Sequence, residues 1–224
     1  MANKIKIALI GYGKMGKEID TLCQNSKDFE VVSISLKNKS EKLDLKGIAK
    51  ADIAIDFTSR DVVLKNIEEV AKLGVNMVVG TTGWYEDIDK VKKIVEKNKI
   101  GLIYSPNFSV GVNVFFKMMD EAAKLFSKFP EYDTYGLEIH HKAKLDSPSG
   151  TALKIAGKIK NLNFHSVRAG SNPGFHEVVF DSLADKITFS HQAYNRIGFA
   201  KGVLKAAKII KGKKGIYIFE DVLN

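Results

Sequence analysis

The stretch Lys4-Ile5-Lys6-Ile7-Ala8-Leu9-Ile10-Gly11-Tyr12-Gly13-Lys14-Met15-Gly16 decides how the rest of the chain reads. Lys4–Ile10 has the length and apolar character of a buried strand, and it runs straight into Gly-x-Gly-x-x-Gly. Lys14–Asn25 follows as a helix with Met15, Ile19 and Leu22 on one face. The glycines allow a tight turn, close approach of backbone to a pyrophosphate, and close packing of helix on strand. The helix start adds unpaired N–H groups for an anion. Glycine turns are common, so the hexapeptide alone is weak; its place in the first strand–helix unit of an alternating chain is what favours a dinucleotide.

Outward from that loop, Phe29–Leu36, Ile53–Phe57, Asn76–Val79 and Ile100–Tyr104 read as strands, with helices near Asp61–Leu73 and Tyr85–Lys97. The polar crossover Lys37–Lys50 carries no full helix pattern. Strands alternating with helices imply right-handed crossovers and a parallel sheet, an α/β domain of Rossmann type. After Pro106 the pattern changes. A long amphipathic helix, Val112–Phe129, precedes strand-like stretches at Tyr135–His141, Ser166–Arg168, His176–Phe180 and Lys186–Gln192, with a helix at Thr151–Lys160. This predicts a smaller α+β domain with a mixed sheet. A helix at Lys201–Lys211 and a strand at Ile216–Phe219 then return to the first sheet. The expected division is 1–107 with 196–224 for the dinucleotide and 108–195 for substrate binding and oligomerisation.

The 45% hydrophobic and 27% charged residues are those of an ordinary globular protein. No apolar run approaches the roughly 20 residues of a membrane span. Ile5–Ile10 is too short for a signal peptide, and the single Cys23 cannot form an internal disulfide, so the expected location is the cytoplasm. The net charge of +9 raises the question of nucleic acid. Only Arg60, Arg168 and Arg196 are arginines, and the lysines are scattered without a basic tail. Neither a nucleic-acid partner nor a membrane is therefore expected; such a field attracts an anionic cofactor and substrate.

Rossmann sites lie at the carboxyl ends of strands. There the sequence places Asp56-Phe57-Thr58, Gly80-Thr81-Thr82-Gly83 and Ser105-Pro106-Asn107-Phe108. Each alone reads as a turn; together they favour a nicotinamide and its ribose. The most informative stretch is Glu138–Ala152. His140 and His141 are adjacent in a strand, point to opposite faces and cannot share a role. His140 and Lys144 share parity and converge if the strand extends. Ser149 reads as a helix N-cap, and the open helix start at Gly150 and Thr151 as a carboxylate cradle. No carboxylate–histidine spacing of zincin type occurs, so no metal is expected.

These residues closely resemble the dihydrodipicolinate reductase family along almost the whole chain. The resemblance covers GYGKMG at Gly11–Gly16, DFTS at Asp56–Ser59, GTTG at Gly80–Gly83 and SPNFSVGVNV at Ser105–Val114. It continues through EIHHKAKLDSPSGTA at Glu138–Ala152, VRAG at Val167–Gly170 and NRIGFAKGVL at Asn195–Leu204. It implies an oxidoreductase that reduces 4-hydroxy-tetrahydrodipicolinate to tetrahydrodipicolinate with NAD(P)H, in diaminopimelate and L-lysine biosynthesis. It implies a cofactor held by Gly11, Tyr12, Gly13, Lys14, Met15, Gly16, Gly80, Thr81, Thr82, Ser105, Pro106, Asn107 and Phe108. It implies a cyclic imine dicarboxylate held by His141, Lys144, Gly150 and Thr151, with His140 as proton donor and acceptor and Lys144 as second donor. A homotetramer built through the second sheet is implied as well. Arg196 falls in the matching motif near the domain junction, either holding a closed form or making a structural salt bridge.

Two departures stand out. The chain is shorter than many members, chiefly between the second and third strands. No acid follows Ser35 before Glu41; Lys37 and Lys39 stand there instead. A carboxylate at that place accepts from the ribose 2′-OH and repels a 2′-phosphate, so its absence predicts that NADPH is favoured and NADH also accepted, with Lys37 on the 2′-phosphate. The competing reading makes both solvated loop lysines. Two competing functions remain open at the sequence. A dehydrogenase of another small oxo or imino acid would keep the cofactor loops without requiring HHxxK beside SGT. A non-catalytic NADP-sensing or nucleic-acid-binding protein would require that cluster degraded or a concentrated basic face.

Overall fold

The computed structural model describes residues 3–36 and 41–223. Lys37 and Lys39, on which the expected cofactor preference rests, lie outside the described residues. The chain divides into two compact units, Met1–Val110 with Ile197–Asn224, and Gly111–Arg196.

The first unit runs β1 (Ile5–Ile10), α1 (Lys14–Gln24), β2 (Phe29–Ser35), the single turn α2 (Leu45–Ile48), β3 (Ile53–Asp56) and α3 (Arg60–Lys72). It continues through β4 (Asn76–Val79), a 3-10 turn Tyr85–Asp87, α4 (Ile88–Asn98) and β5 (Gly101–Tyr104). The second unit holds α5 (Val110–Phe126), β6 (Asp133–His140), α6 (Gly150–Ala156), β7 (Asn163–Arg168), β8 (Phe175–Asp181) and β9 (Lys186–Gln192). The chain then returns to the first unit with α7 (Ile197–Ile210) and β10 (Gly215–Ile218).

All pairings in the first sheet are parallel, in the order β10-β5-β4-β3-β1-β2. The order reverses at β1, with β2 on one side and β3 on the other, so a crevice opens at the carboxyl ends of β1 and β3. Its inner strands β1, β3, β4 and β5 are buried on both faces, which is why they read as apolar runs. Alternation divides β1 between two cores. Ile7 and Leu9 pack with Ile19 of α1 and Val203 and Ala207 of α7. Ala8 and Ile10 pack with Val63 and Ile67 of α3 and Val91 and Val95 of α4.

The second sheet is mixed, in the order β7-β6-β8-β9, with β6–β7 parallel and the other pairs antiparallel. One face packs against α5 and α6, where Phe115, Phe116, Met119 and Ile155 meet Val178 and Phe180. Tyr135, Leu137, Ile139 and Val167 alternate onto the other face, where all stay partly or largely exposed. Most boundaries shift by one to three residues from the sequence expectation, and three of the departures have a visible cause or a bearing on the site. β6 ends at His140, because the chain turns there with Lys144 N–H donating to the His141 carbonyl. α6 stops at Ala156 instead of Lys160, with Gly157 as its C-cap. α7 starts at Ile197, four residues before the expected Lys201. Among the described residues no helix is long and apolar enough to cross a membrane.

Candidate active site

In the glycine loop the three glycines have different reasons to be there. Gly11 has φ 90°, and a Cβ on it would collide with the Phe57 carbonyl. A Cβ on Gly16 would collide with the Gly11 carbonyl, so that glycine lets α1 pack close to β1. Gly13 has ordinary extended angles, φ −79° and ψ −155°, and a Cβ on it would meet nothing within 4 Å. Packing inside the unit explains the outer two; the middle one is open to a group arriving from outside and stands at the helix N-cap, which glycine also suits. Gly13 is the N-cap of α1 but supplies no side-chain cap, and the first turn carries no acidic residue. The helix start therefore presents free N–H groups and the positive end of its dipole, which fits a pyrophosphate.

A cleft of about 590 Å³ opens there, lined by Gly13, Lys14, Met15, Thr58, Gly80, Thr81 and Thr82 among others. Asp56, fully buried at the end of β3, organises its far wall. Its carboxylate accepts from Thr81 Oγ1 at 2.7 Å, Thr58 Oγ1 at 2.8 Å and Asn66 Nδ2 at 2.8 Å. Burial raises the Asp56 pKa from its ordinary value, and the hydrogen bonds from Thr81, Asn66 and Thr58 oppose that shift. Trp84 lies under the same loop and donates to the Thr81 carbonyl at 2.8 Å. Gly80 is required by contact, since a Cβ there would enter the Phe57 ring. At the end of β5, one strand further, Ser105 Oγ bridges the backbone of Asn107 and Pro106 is exposed. The Phe108 ring is in the core beside Phe57 and Phe219. Tyr12 hydrogen-bonds Asp20 at 2.5 Å.

The second unit carries a polar row across its sheet on the helix-covered face. Register places Ser166 of β7, Glu138 of β6, His176 of β8 and His191 of β9 side by side. His140 and Arg168 form the next pair along. Glu138 is fully buried; its Oε1 accepts from Ser166 Oγ at 2.6 Å, Arg168 Nη2 at 2.6 Å and Ser149 N at 3.0 Å. Burial works to raise its pKa, but those hydrogen bonds outweigh it and hold the carboxyl at about 2. Oε2 lies 3.4 Å from His140 Nδ1 and 3.5 Å from His176 Nε2. Burial pushes His176 down to about 4 and lowers His140 as well, the latter against the opposing pull of Glu138. Ser149 caps α6 through Ala152 N and touches His176 Nε2 at 3.1 Å, tying the helix start to this cluster.

Lys144 is outside the row. It forms an ion pair with Asp146 at 2.7 Å, and the strand does not extend to carry it beside His140 as parity alone suggested. His141 and Thr151 are half-buried, Gly150 is exposed, and a Cβ on Gly150 would meet nothing within 4 Å. Arg196 is exposed. Glu138, His140 and His176 offer one carboxylate and two imidazoles with donor atoms within 4.8 Å, a set that a divalent metal would suit. Arg168 already pairs with the same carboxylate, which offsets the negative charge a metal would need and favours a proton network over a metal.

The family model described as "Dihydrodipicolinate reductase, N-terminus" matches residues 5–108, and that described as "Dihydrodipicolinate reductase, C-terminus" matches 111–223. The chain belongs to the dihydrodipicolinate reductase family. It is 38% identical to the 4-hydroxy-tetrahydrodipicolinate reductase of Christiangramia forsetii, over 98% of each chain. To the enzyme of that name from Methanosarcina acetivorans it is also 38% identical, over 92% of this chain and 87% of the relative. A solved structure, dipicolinate-bound dihydrodipicolinate reductase from Paenisporosarcina sp. TG-14, superposes with a TM-score of 0.80 at 27% identity, covering 98% of this chain and all of that one. As a member of this family the chain is an oxidoreductase, with a nucleotide-binding Rossmann domain for a pyridine nucleotide and a small-molecule substrate.

Within this reductase family member, sequence reasoning gave roles to His140 and Lys144 but none to Glu138, Arg168 or His176. A signal existed for each. Glu138 has the parity of His140, and His176 interrupts the apolar face of Val178 and Phe180. Arg168 is one of the chain's three arginines and sits in the quoted VRAG motif.

Proposed function

We propose that the chain reduces 4-hydroxy-tetrahydrodipicolinate to tetrahydrodipicolinate with NAD(P)H, in diaminopimelate and L-lysine biosynthesis. The observation that carries this reading is the buried His140–Glu138–His176 cluster beside the Ser149-capped helix, in a chain that matches the family over both units. The overall change consumes one substrate, one NAD(P)H and one proton and yields product, NAD(P)+ and water. The nicotinamide, when bound, supplies the hydride. The chain's own groups handle the protons and the anions. His140 is the proton donor and acceptor, suited by an imidazole near neutrality. Lys144 is the second donor, and with His141, Gly150 and Thr151 it holds the carboxylates of a cyclic imine dicarboxylate. The loop Gly11–Gly16 with Gly80, Thr81, Thr82 and Ser105–Phe108 holds the cofactor; the open Gly13 and the cleft beside it support that assignment.

Purified protein should consume NADPH when given substrate freshly condensed from pyruvate and aspartate semialdehyde. Oxidation supported equally by pyruvate or simple keto acids would overturn the assignment. NADPH is the favoured cofactor and NADH is also accepted, with Lys37 as a point charge on the 2′-phosphate. An exposed pair contributes only about 0–1 kcal/mol, so the preference is modest and salt-sensitive. Lys37→Glu should raise the NADPH KM selectively; equal, unmoved constants for both cofactors would remove the lysine from the site. The working form is a cytoplasmic homotetramer assembled through the second unit.

A further inference from the structure

We infer that Glu138 is the positioning residue for His140: it receives the imidazole Nδ1–H and so leaves Nε2 as the atom that takes up and releases the proton. The inference rests on the proposed role of His140 as the proton-exchanging group. Its basis is the geometry around two buried atoms. His140 Nδ1 and Glu138 Oε2 face each other at 3.4 Å, and among the described residues neither has a hydrogen-bond partner; His176 Nε2, 3.5 Å from the same oxygen, lies closer to Ser149 Oγ at 3.1 Å. A buried carboxylate oxygen and a buried imidazole nitrogen each left unpaired would be costly, and the two can satisfy each other with a small adjustment. Catalytic hydrogen bonds are commonly long before substrate binds.

The carboxylate cannot turn away, because its other oxygen is held by Ser149 N, Ser166 Oγ and Arg168 Nη2 on three different segments. On the opposite edge of the ring the backbone gives way. Gly174, immediately before β8, has φ 152°, and a Cβ built there would lie 3.2 Å from His140 Nε2. The missing side chain keeps that nitrogen clear. One ring nitrogen thus faces a fixed anion and the other a glycine that carries no side chain, the arrangement by which a carboxylate fixes a tautomer and stabilises the imidazolium. Groups of both signs face His140. Glu138 on its own strand and Asp146 raise its proton affinity, whereas Arg168 on β7 and Lys144 after the turn lower it. His176 on β8 packs edge-on to it at 5.1 Å and stays neutral above about pH 4.

The experiment uses the full-length chain labelled with 15N-histidine. Long-range proton–nitrogen NMR reads the His140 tautomer and its titration, and the pH profile of kcat is recorded alongside. Wild type should show Nδ1–H. Glu138→Gln removes the negative charge while keeping the shape; it should lower the His140 pKa by about one unit or more. Because a donor is lost as pH rises through its pKa, the basic limb of the kcat profile should move to lower pH by the same amount. An Nε2–H tautomer in the wild type would overturn the inference, and this reading needs no variant should Glu138→Gln fold poorly. A folded Glu138→Gln protein whose His140 titration and basic limb are unmoved would overturn it equally. The NMR arm is independent of turnover. A wild type that shows the Nδ1–H tautomer and its shift in Glu138→Gln, yet oxidises no NADPH with the condensed substrate, supports the positioning and sinks the proposed reaction instead.

Discussion

His140 is flanked at neutral pH by a lasting anion, Glu138, held at about 2, and by an imidazole, His176, held at about 4. Burial lowers its own pKa, Glu138 opposes that shift, and Lys144 and Arg168 add to it against Asp146. His140→Ala and Lys144→Ala should each lower kcat by roughly a hundredfold or more, the usual scale for a positioned acid. Cofactor affinity, read by fluorescence titration, should not change, because the glycine loop belongs to the other unit. A double variant with near-native turnover would withdraw both roles. The sequence made His140 legible because two histidines and two lysines stand together at a strand end. It did not make the surrounding network legible, since that is assembled by register across β7, β6 and β8, segments up to 38 residues apart. Lys144 shows the converse. Parity was extended past His140, but the chain turns there, and Asp146 becomes the lysine's nearest partner.

Elements that pack on both faces were the easiest to read, because period and burial agree. β4 matches its expected bounds, and β3 ends one residue before its expected end. α6 shows how they disagree. Ile155 and Ile159 continue a helical spacing and are both buried in the second core, yet Gly157 ends the helix between them. The apolar pattern there records core burial rather than helix. The glycine loop allows a cleaner test of what an element is for. Gly16→Ala should destabilise the first unit by about 1–3 kcal/mol, since its Cβ meets a backbone carbonyl that cannot step aside. Gly13→Ala should cost about 1 kcal/mol or less, since its angles are open to any residue and alanine is only a poorer N-cap. It should nevertheless weaken NADPH binding by about tenfold, roughly 1.4 kcal/mol. Melting curves and cofactor titrations on both variants separate packing from binding. Equal affinity in Gly13→Ala would mean that no phosphate approaches that backbone.

At the scale of the whole molecule the second sheet is unfinished on one side. α5 and α6 cover one face, whereas Tyr135, Leu137, Ile139 and Val167 line the other, with Tyr135 36% and Val167 40% exposed. Register also sets His165 and Glu177 beside Leu137 on that face, so its apolar side chains are interleaved with polar ones. Exposed apolar residues rimmed by polar ones suit an association surface, and identical chains most often meet across two-fold axes that bring the same patch together. A stable interface needs about 1,200 Å² or more of buried surface, which favours a sheet face over a loop. The net charge of +9 opposes self-association, so the apolar contribution must dominate wherever copies meet. Together with the family resemblance this predicts a homotetramer, with a light-scattering mass about four times that of the chain. Leu137→Arg places a charge in the middle of that face without disturbing the helix side, whose residues have the opposite parity. It should yield smaller species at micromolar concentration while circular dichroism stays native. A wild type that is monomeric under the same conditions would reject the assembly. A Leu137→Arg tetramer would move the interface to another face, for which the exposed Met118 and Leu125 of α5 are then the next residues to charge.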